Sequence, residues 1–448
     1  VTDSRRGTIA AFAAVTTLFF AWGFITSLID PLVAAVKGIF SLTDVQAQLS
    51  ASAFFIAYGL ISMPAAVLVA RRRSVPSILI ALGTMIAGCL VMLVAANLAI
   101  YTLVLLGLFI LASGITILQV AANPLAAALG DPRYSHFRLT LSQTFNSVGT
   151  FIGPYLGAVL FLEGLEVKEG EVVTQAVRDN ALIGIDFAYF WICGLIAMLL
   201  VFFLLARKTV EAAAPAPMHG DAGIVGTLKE ALSSRWALFG GLAIFLYVGA
   251  EVAIGTQMAL FLNADTVWGA SDAPAEIGWL ARFMQLDSTP GVSLQEAGKA
   301  VSLYWGGAMV GRFVGSALLA RFNAAWLLAI FTGVAAAMCL YVFAIGGVEA
   351  GFVALSIGLF NSIMFPTIFT LTLERSTASQ EATSGFLCTA IVGGAAIPPL
   401  VGAVSQSAGY AAAFIVPMLC YVALCAFAVA ATRAAVQVRD EPAAASIH

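Results

Sequence analysis

The chain has 448 residues, a net charge of −3, 61% hydrophobic residues and only 10% charged ones, against about 45–50% and about 25% in soluble domains. These proportions exclude a string of soluble domains of about 150 residues each and point to a membrane protein. Lysine and arginine occur one to three at a time, so no basic face exists to neutralise a nucleic-acid backbone, and nucleic acid is not expected as a partner.

Twelve stretches are apolar over the roughly 20 residues needed to cross a bilayer. They lie near 8–36, 46–70, 77–96, 101–129, 137–162 and 185–206, then near 237–263, 299–319, 324–346, 350–373, 383–406 and 410–432. The pattern predicts an all-α membrane protein of twelve transmembrane helices. The first stretch exceeds the apolar run of about 7–15 residues in a cleavable signal peptide and carries Asp30 near its end, so it reads as a span. Orientation follows from the basic residues. The short loops holding Arg71 to Arg73, Arg133, Arg321 and Arg375 fall on the same side as both termini. That side is expected to be the cytoplasm, and the Lys37 side the exterior.

Between spans six and seven the composition shifts to APAPMHGDAG (214–223), followed by a mildly amphipathic stretch around Lys229, Glu230 and Arg235. This boundary divides the chain into an N-terminal six-helix half (1–208), a linker expected in the cytoplasm (209–236) and a C-terminal six-helix half (237–448). An internal repeat agrees with the division. VGTFIGPYLGAV from Val148 and GGAAIPPLVGAV from Gly393 share a Pro-x-x-Gly-Ala-Val ending; VLVARRR from Val67 and ALLARF from Ala317 both turn at arginine; Pro124 and Pro366 stand at comparable depth. Two six-helix pseudo-repeat halves around a central site suit a carrier that works by rocking one half against the other.

An ionised group at bilayer depth costs about 2.5–3.5 kcal/mol and is retained where it faces the bundle interior or a wet cavity. Two acidic residues meet that condition, Asp30 in span one and Glu251 in span seven, the first helices of the two halves. Pro31 removes a backbone donor beside Asp30 and loosens the helix there. A carboxyl group in a site that alternates between dry and wet surroundings can change its proton affinity with conformation, which is what ion coupling requires. Near the outer mouth, the same carboxylate would simply be solvated.

Gln119 and Asn123 stand four apart on span four, and Gln143 and Asn146 three apart on span five, so each pair shares a helix face. Amides both donate and accept, as a ring of hydroxyls demands, and the four together suit a neutral polyol; helix-to-helix bonding is the alternative use of the same residues. Trp22 and Tyr247 offer aromatic surface, while Tyr304 and Trp305 are expected near the outer interface. Gly149, Gly153, Pro154 and Gly157, with Gly393, Gly394, Pro398, Pro399 and Gly402, read as close-packing and bending sites. Arg138 and Arg312 are expected at inner helix ends, where Asp131 and Glu374 are near enough to pair and latch the inner face in the outward-open state; snorkelling to lipid headgroups is the alternative. Cys89, Cys193, Cys339, Cys388, Cys420 and Cys425 lie in apolar runs without C-x-x-C spacing, and His136, His219 and His448 lie in loops or at the terminus. Neither a metal site nor a cofactor is expected.

The stretches FFAWGFITSLIDPL (from Phe19), GITILQVAANP (Gly114), FRLTLSQTFNSVGT (Phe137), FLYVGAEVAIG (Phe245), YWGGAMVGRFVGS (Tyr304), FPTIFTL (Phe365) and LCTAIVGGAAIPPLVG (Leu387) resemble the fucose/glucose/galactose permeases of the major facilitator superfamily. The resemblance covers nearly the whole chain. It implies the major facilitator fold, a multi-pass carrier in a bacterial inner membrane, and import of a monosaccharide with a coupling cation, usually H+. Through it Asp30 matches the family's proton-coupling acid, Asn146 a sugar-contacting asparagine with Gln143 beside it, and Gln119 the glutamine of the glucose/galactose type. Glu251 sits in a block typical of that branch. The sequence departs from the family at Ile29, where asparagine is usual, and at Leu125, often tyrosine.

The expectation is therefore a sugar:cation symporter for a neutral monosaccharide, most nearly a glucose/galactose-type hexose. Asp30 takes the proton, and Gln119, Asn123, Gln143, Asn146, Glu251, Tyr247 and Trp22 form the sugar site; Arg138, Arg312 and Glu374 gate. Na+ in place of H+, or an exporter of small organic compounds on the same fold, are the alternatives. An enzyme is not expected, since no catalytic constellation lies at depth. Lipid surrounds the protein, which is expected to act as a monomer.

Overall fold

A computed structural model describes residues 2–129, 135–163, 174–213, 224–269, 279–285, 291–319, 321–378 and 380–435. The first half comprises α1 (Thr2–Ser27), α2 (Ile29–Ile39), α3 (Asp44–Arg72), α4 (Ser74–Leu98), α5 (Tyr101–Ala128), α6 (Ser135–Phe161) and α7 (Gln175–Ala213). A short α8 (Ile224–Ser233) leads into α9 (Arg235–Asn263), α10 (Trp279–Met284), α11 (Leu294–Leu319), α12 (Ala324–Ile345), α13 (Gly347–Asn361), α14 (Met364–Arg375), α15 (Gln380–Thr389), α16 (Gly393–Ala408) and α17 (Ile415–Arg433).

Proline decides where the spans break. Span one is α1 and α2, interrupted at Leu28, because Pro31 has no N–H to give the carbonyl of Ser27 four residues back. Span ten parts into α13 and α14 at Ser362 and Ile363, four and three residues before Pro366. Span eleven is α15 and α16 joined by a 3-10 turn, Ala390–Val392. Within α16, Pro399 leaves the Ala395 carbonyl without its helical donor, and Ser52 Oγ on α3 donates to it at 2.6 Å.

Among the described residues ten helical stretches are long and apolar enough to cross a membrane. The two remaining spans, α6 and α11, have 27 and 26 residues. At a 1.5 Å rise either covers about 40 Å, against a hydrocarbon core of about 30 Å. They miss the apolar criterion through Gln143, Asn146 and Ser147 on one and Glu296, Lys299 and Arg312 on the other, and these are the helices that meet at the centre. Phe187, Trp191, Met198 and Leu205 on α7 are all more than half exposed, an uncovered apolar face that suits lipid.

The halves pack α3 against α16, α6 against α11, and α2 against α9. In the repeat, span two corresponds to span eight and span five to span eleven, so the first two pairings are images of one another. Glycine sets the spacing inside each half. A Cβ on Gly149 of α6 would run into the Phe20 carbonyl of α1, and one on Gly393 into that of Phe245 on α9. The segment after α9 folds back over the bundle, with Trp268 buried and its Nε1 donating to the Val348 carbonyl at 2.9 Å.

Candidate functional site

A cavity of about 160 Å³ lies between the halves, space for a small solute rather than for single waters, each of which needs about 10–15 Å³. Its walls are helical stripes. Trp305, Ala308, Met309 and Arg312 of α11 line it at i, i+3, i+4 and i+7, whereas Val310, Phe313 and Val314, each more than half exposed, face the other way. Val248, Glu251, Val252 and Thr256 form the α9 wall. From the first half come Trp22, Thr26 and Asp30, with Asn146, Ser147 and Thr150 of α6.

Asp30 is 4% exposed and sits just past the Leu28 interruption. Its Oδ2 accepts the indole N–H of Trp305, from the other half, at 2.5 Å. Gly255 backs this contact, since a Cβ there would stand 3.2 Å from Asp30 Oδ1 and 3.3 Å from the Trp305 ring.

Glu251 is held from behind by a buried polar network. Tyr247 Oη donates to Glu251 Oε1 at 2.7 Å and lies 3.1 Å from the Asn361 carbonyl. Tyr304 Oη donates to the Glu251 carbonyl at 3.1 Å and accepts from Asn361 Nδ2 at 2.7 Å, while Tyr421 Oη donates to Asn361 Oδ1 at 2.8 Å. Each of the three phenols thus has a partner, and Tyr247 orients the carboxylate through Oε1. Across the cavity Arg312 Nη1 donates to Ser147 Oγ of α6 at 2.6 Å.

Of the sequence-derived candidates, Asp30, Trp22, Asn146, Glu251 and Arg312 line this cavity; Asn146 also bonds the Phe19 carbonyl at 3.1 Å through Nδ2. Tyr247 lies one layer behind, on Glu251. Gln119 instead donates to Tyr58 Oη of α3 at 2.6 Å, a helix-to-helix bond. Asn123 Oδ1 is buried without a hydrogen-bond partner, and Gln143 is half-buried on α6 outside the lining.

The expected depth of Arg312 is corrected. Arg312 lies seven residues, about 10 Å, before the end of α11 and turns into the cavity. Glu374, 52% exposed, pairs with its neighbour Arg375 at 3.0 Å. The Arg138 side chain and Asp131 lie outside the described residues. Trp305 is also corrected: α11 begins at Leu294, five residues before the expected start, which carries Trp305 about 16 Å into the helix. Sequence reasoning missed Ser147, Thr256 and Asn361. Asn361, a neutral amide inside span ten, was discoverable by extending the amide search to the second half.

The end of the molecule carrying Lys37 is shut. The Lys37 ammonium pairs with Asp44 Oδ1 at 2.5 Å and bonds Tyr410 Oη at 2.5 Å, and Ser405 Oγ donates to Asp44 Oδ2 at 2.7 Å. Gln295 Nε2 reaches the Val159 carbonyl at 3.3 Å, and Thr256 Oγ1 donates to Gln48 Oε1 at 2.9 Å. These cross-half bonds lie at cavity depth or toward the Lys37 end.

The family model of the Major Facilitator Superfamily matches residues 11–386. A glucose/galactose transporter of Brucella abortus is 36% identical over 94% of this chain and 93% of its own. The L-fucose-proton symporter of Escherichia coli is 32% identical over 94% and 93%. The solved structure of the transporter FucP in its outward conformation superposes with a TM-score of 0.65 at 30% identity, covering 95% of this chain and 99% of that one. On this evidence the chain belongs to the Major Facilitator Superfamily of multi-pass membrane transporters and, within it, to the fucose/glucose/galactose permease family.

Proposed function

We propose that the protein is a sugar transporter that imports a neutral monosaccharide, a glucose/galactose-type hexose, by symport with H+ through alternating access. It works in a bacterial inner membrane with both termini in the cytoplasm. The observation that carries the reading is Asp30: a carboxylate 4% exposed, on the wall of an inter-half cavity and hydrogen-bonded to the opposite half. A cation that binds there helps drive the sugar only through different affinities in the two facing states. A residue touching both halves experiences those two states differently.

The name of the L-fucose-proton symporter supports the proton. The names of the relatives support the hexose. The sugar is held by Asn146 and Trp22 on one wall and Glu251, braced by Tyr247, on the other. Gln119, Asn123 and Gln143 stand on the Arg72 side of the cavity, by position along α5 and α6.

The test is uptake of labelled glucose, galactose, fucose, mannose and N-acetylglucosamine into proteoliposomes, under an imposed pH gradient, an imposed Na+ gradient or neither. Accumulation of glucose or galactose under the pH gradient alone is expected. Accumulation under Na+ alone would replace the ion, and no sugar moving under any gradient would overturn the reading.

A further inference from the structure

Arg312 is a guanidinium near the middle of a membrane protein, and neither role expected for such a group fits it. It does not snorkel to headgroups, because Val310, Phe313 and Val314 mark the exposed face of α11 and Arg312 lies on the cavity stripe with Trp305, Ala308 and Met309. Nor does it end α11 beside Glu374: seven helical residues separate it from the inner end, and Glu374 pairs with Arg375. Its Nη1 donates to Ser147 Oγ, next in sequence to Asn146, and it shares the cavity with Glu251.

We propose that Arg312 and Glu251 form a charged clamp that reads two neighbouring hydroxyls of the sugar, making Arg312 a substrate-contacting, specificity-determining residue. This rests on the carrier reading above. A guanidinium presents N–H donors in a planar fork and a carboxylate presents two acceptor oxygens, so the pair matches both halves of a hydroxyl's hydrogen-bonding capacity. Glu251 is preorganised for this: Tyr247 holds Oε1, and Tyr304, Asn361 and Tyr421 hold the backbone and phenol behind it. Ala308, small and on the same stripe, leaves room between the Trp305 ring and the guanidinium. The aromatic takes an apolar sugar face while the clamp takes an edge. Asn146 of the first half then binds the opposite edge, so each half recognises a different set of hydroxyls.

The experiment measures sugar exchange in proteoliposomes without a gradient, for the transported hexose and its series of single-deoxy analogues, with the wild type, Arg312→Lys and Glu251→Gln. Arg312→Lys keeps the charge and loses the fork. It is expected to raise the KM for the parent sugar about 10- to 100-fold, the usual worth of a hydrogen bond to a charged group, with the maximal rate falling far less. The penalty for removing one particular hydroxyl should collapse in Arg312→Lys while the other deoxy penalties persist. Glu251→Gln should collapse the penalty at the same or the adjacent position. An unchanged KM with a reduced maximal rate, or deoxy penalties identical to those of the wild type, would overturn the clamp and make Arg312 a strut between α11 and α6. Failure of the wild type to exchange any sugar would instead defeat the carrier reading. Monodisperse elution and an unaltered melting temperature exclude misfolding of either variant as the cause of a raised KM.

Discussion

Ser405→Ala should open the Lys37 end. Ser405 Oγ donates to Asp44 Oδ2 at 2.7 Å, with Ser405 6% and Asp44 8% exposed. Asp44 and Lys37 belong to the first half and Ser405 to the second, so this bond exists only while that end is shut. The Lys37–Asp44 pair survives opening. A hydrogen bond to a charged acceptor contributes about 1.5–3 kcal/mol, and leaving the acceptor buried without its donor costs a similar amount. At about 1.4 kcal/mol per decade the open-to-shut ratio should rise about 10- to 100-fold. The reporter is Val252→Cys on the cavity wall, in a background lacking the six native cysteines, labelled by a membrane-impermeant maleimide added outside right-side-out vesicles. The labelling rate should rise by that factor in Ser405→Ala and return to the parental value in Ser405→Thr, which keeps a hydroxyl. An unchanged or slower rate in folded Ser405→Ala protein would refute the argument that this bond holds the end closed.

Asp30→Asn should abolish gradient-driven accumulation in proteoliposomes yet retain sugar exchange; loss of exchange as well would make Asp30 a binding or folding residue. Asn361→Leu strips Tyr421 and Tyr304 of their amide partner, and at about 1–3 kcal/mol per orphaned buried group the melting temperature in detergent should fall clearly, whereas an unchanged value would deny the network its structural role. Gly358→Ala should prevent folding, since the new Cβ meets the Tyr304 backbone carbonyl. Gly306→Ala meets only the Phe151 ring, across the halves at 2.9 Å, and should fold but transport slowly; equal yields by gel filtration with equal initial uptake rates would refute the distinction.

The fold was legible because a bilayer imposes a length on every apolar run, and because Pro31 announces the break beside Asp30. The site was half legible. Asp30 and Glu251 stood out through the cost of burying charge, and both line the cavity. Trp305 and Arg312 were misjudged for different reasons. The depth of Trp305 was counted from the edge of the apolar run at residue 299, whereas α11 starts at Leu294 and polar residues in its first turns hid that start; the inner end at Leu319 was as expected, and Arg312 lies two helical turns before it. Ser147 and Thr256 carry no signal of their own. A hydroxyl in a span is unremarkable until the rotation of its helix and the identity of the facing half are known, and neither is written in a single helix's sequence. The amides divided for the same reason: Gln119 bonds sideways to Tyr58, while Asn146, on the next span, reaches the cavity.

The contacts within and between the halves differ in balance, and that difference suits rocking. Inside a half, Gly149, Gly358 and Gly393 bring backbone against backbone, an approach no side-chain rotation can relieve, so each half moves as a body. Between halves, Gly59 meets the Val392 side chain and Gly306 the Phe151 ring, groups that can turn away, and backbone meets backbone where Gly402 faces Asp44 at the shut Lys37 end. The polar ties across the interface are single hydrogen bonds, each contributing on the order of 1 kcal/mol when water can replace it. Two of them, Trp305 to Asp30 and Arg312 to Ser147, also bound the cavity. A solute lodged there contacts walls that separate when the halves rock, so its affinity must differ between the two facing states. Such a difference is the sole means by which a ligand shifts a conformational equilibrium. The coupling of occupancy to movement therefore follows from building one site out of two bodies, and Asp30, hydrogen-bonded to the opposite half, stands at the seam between them.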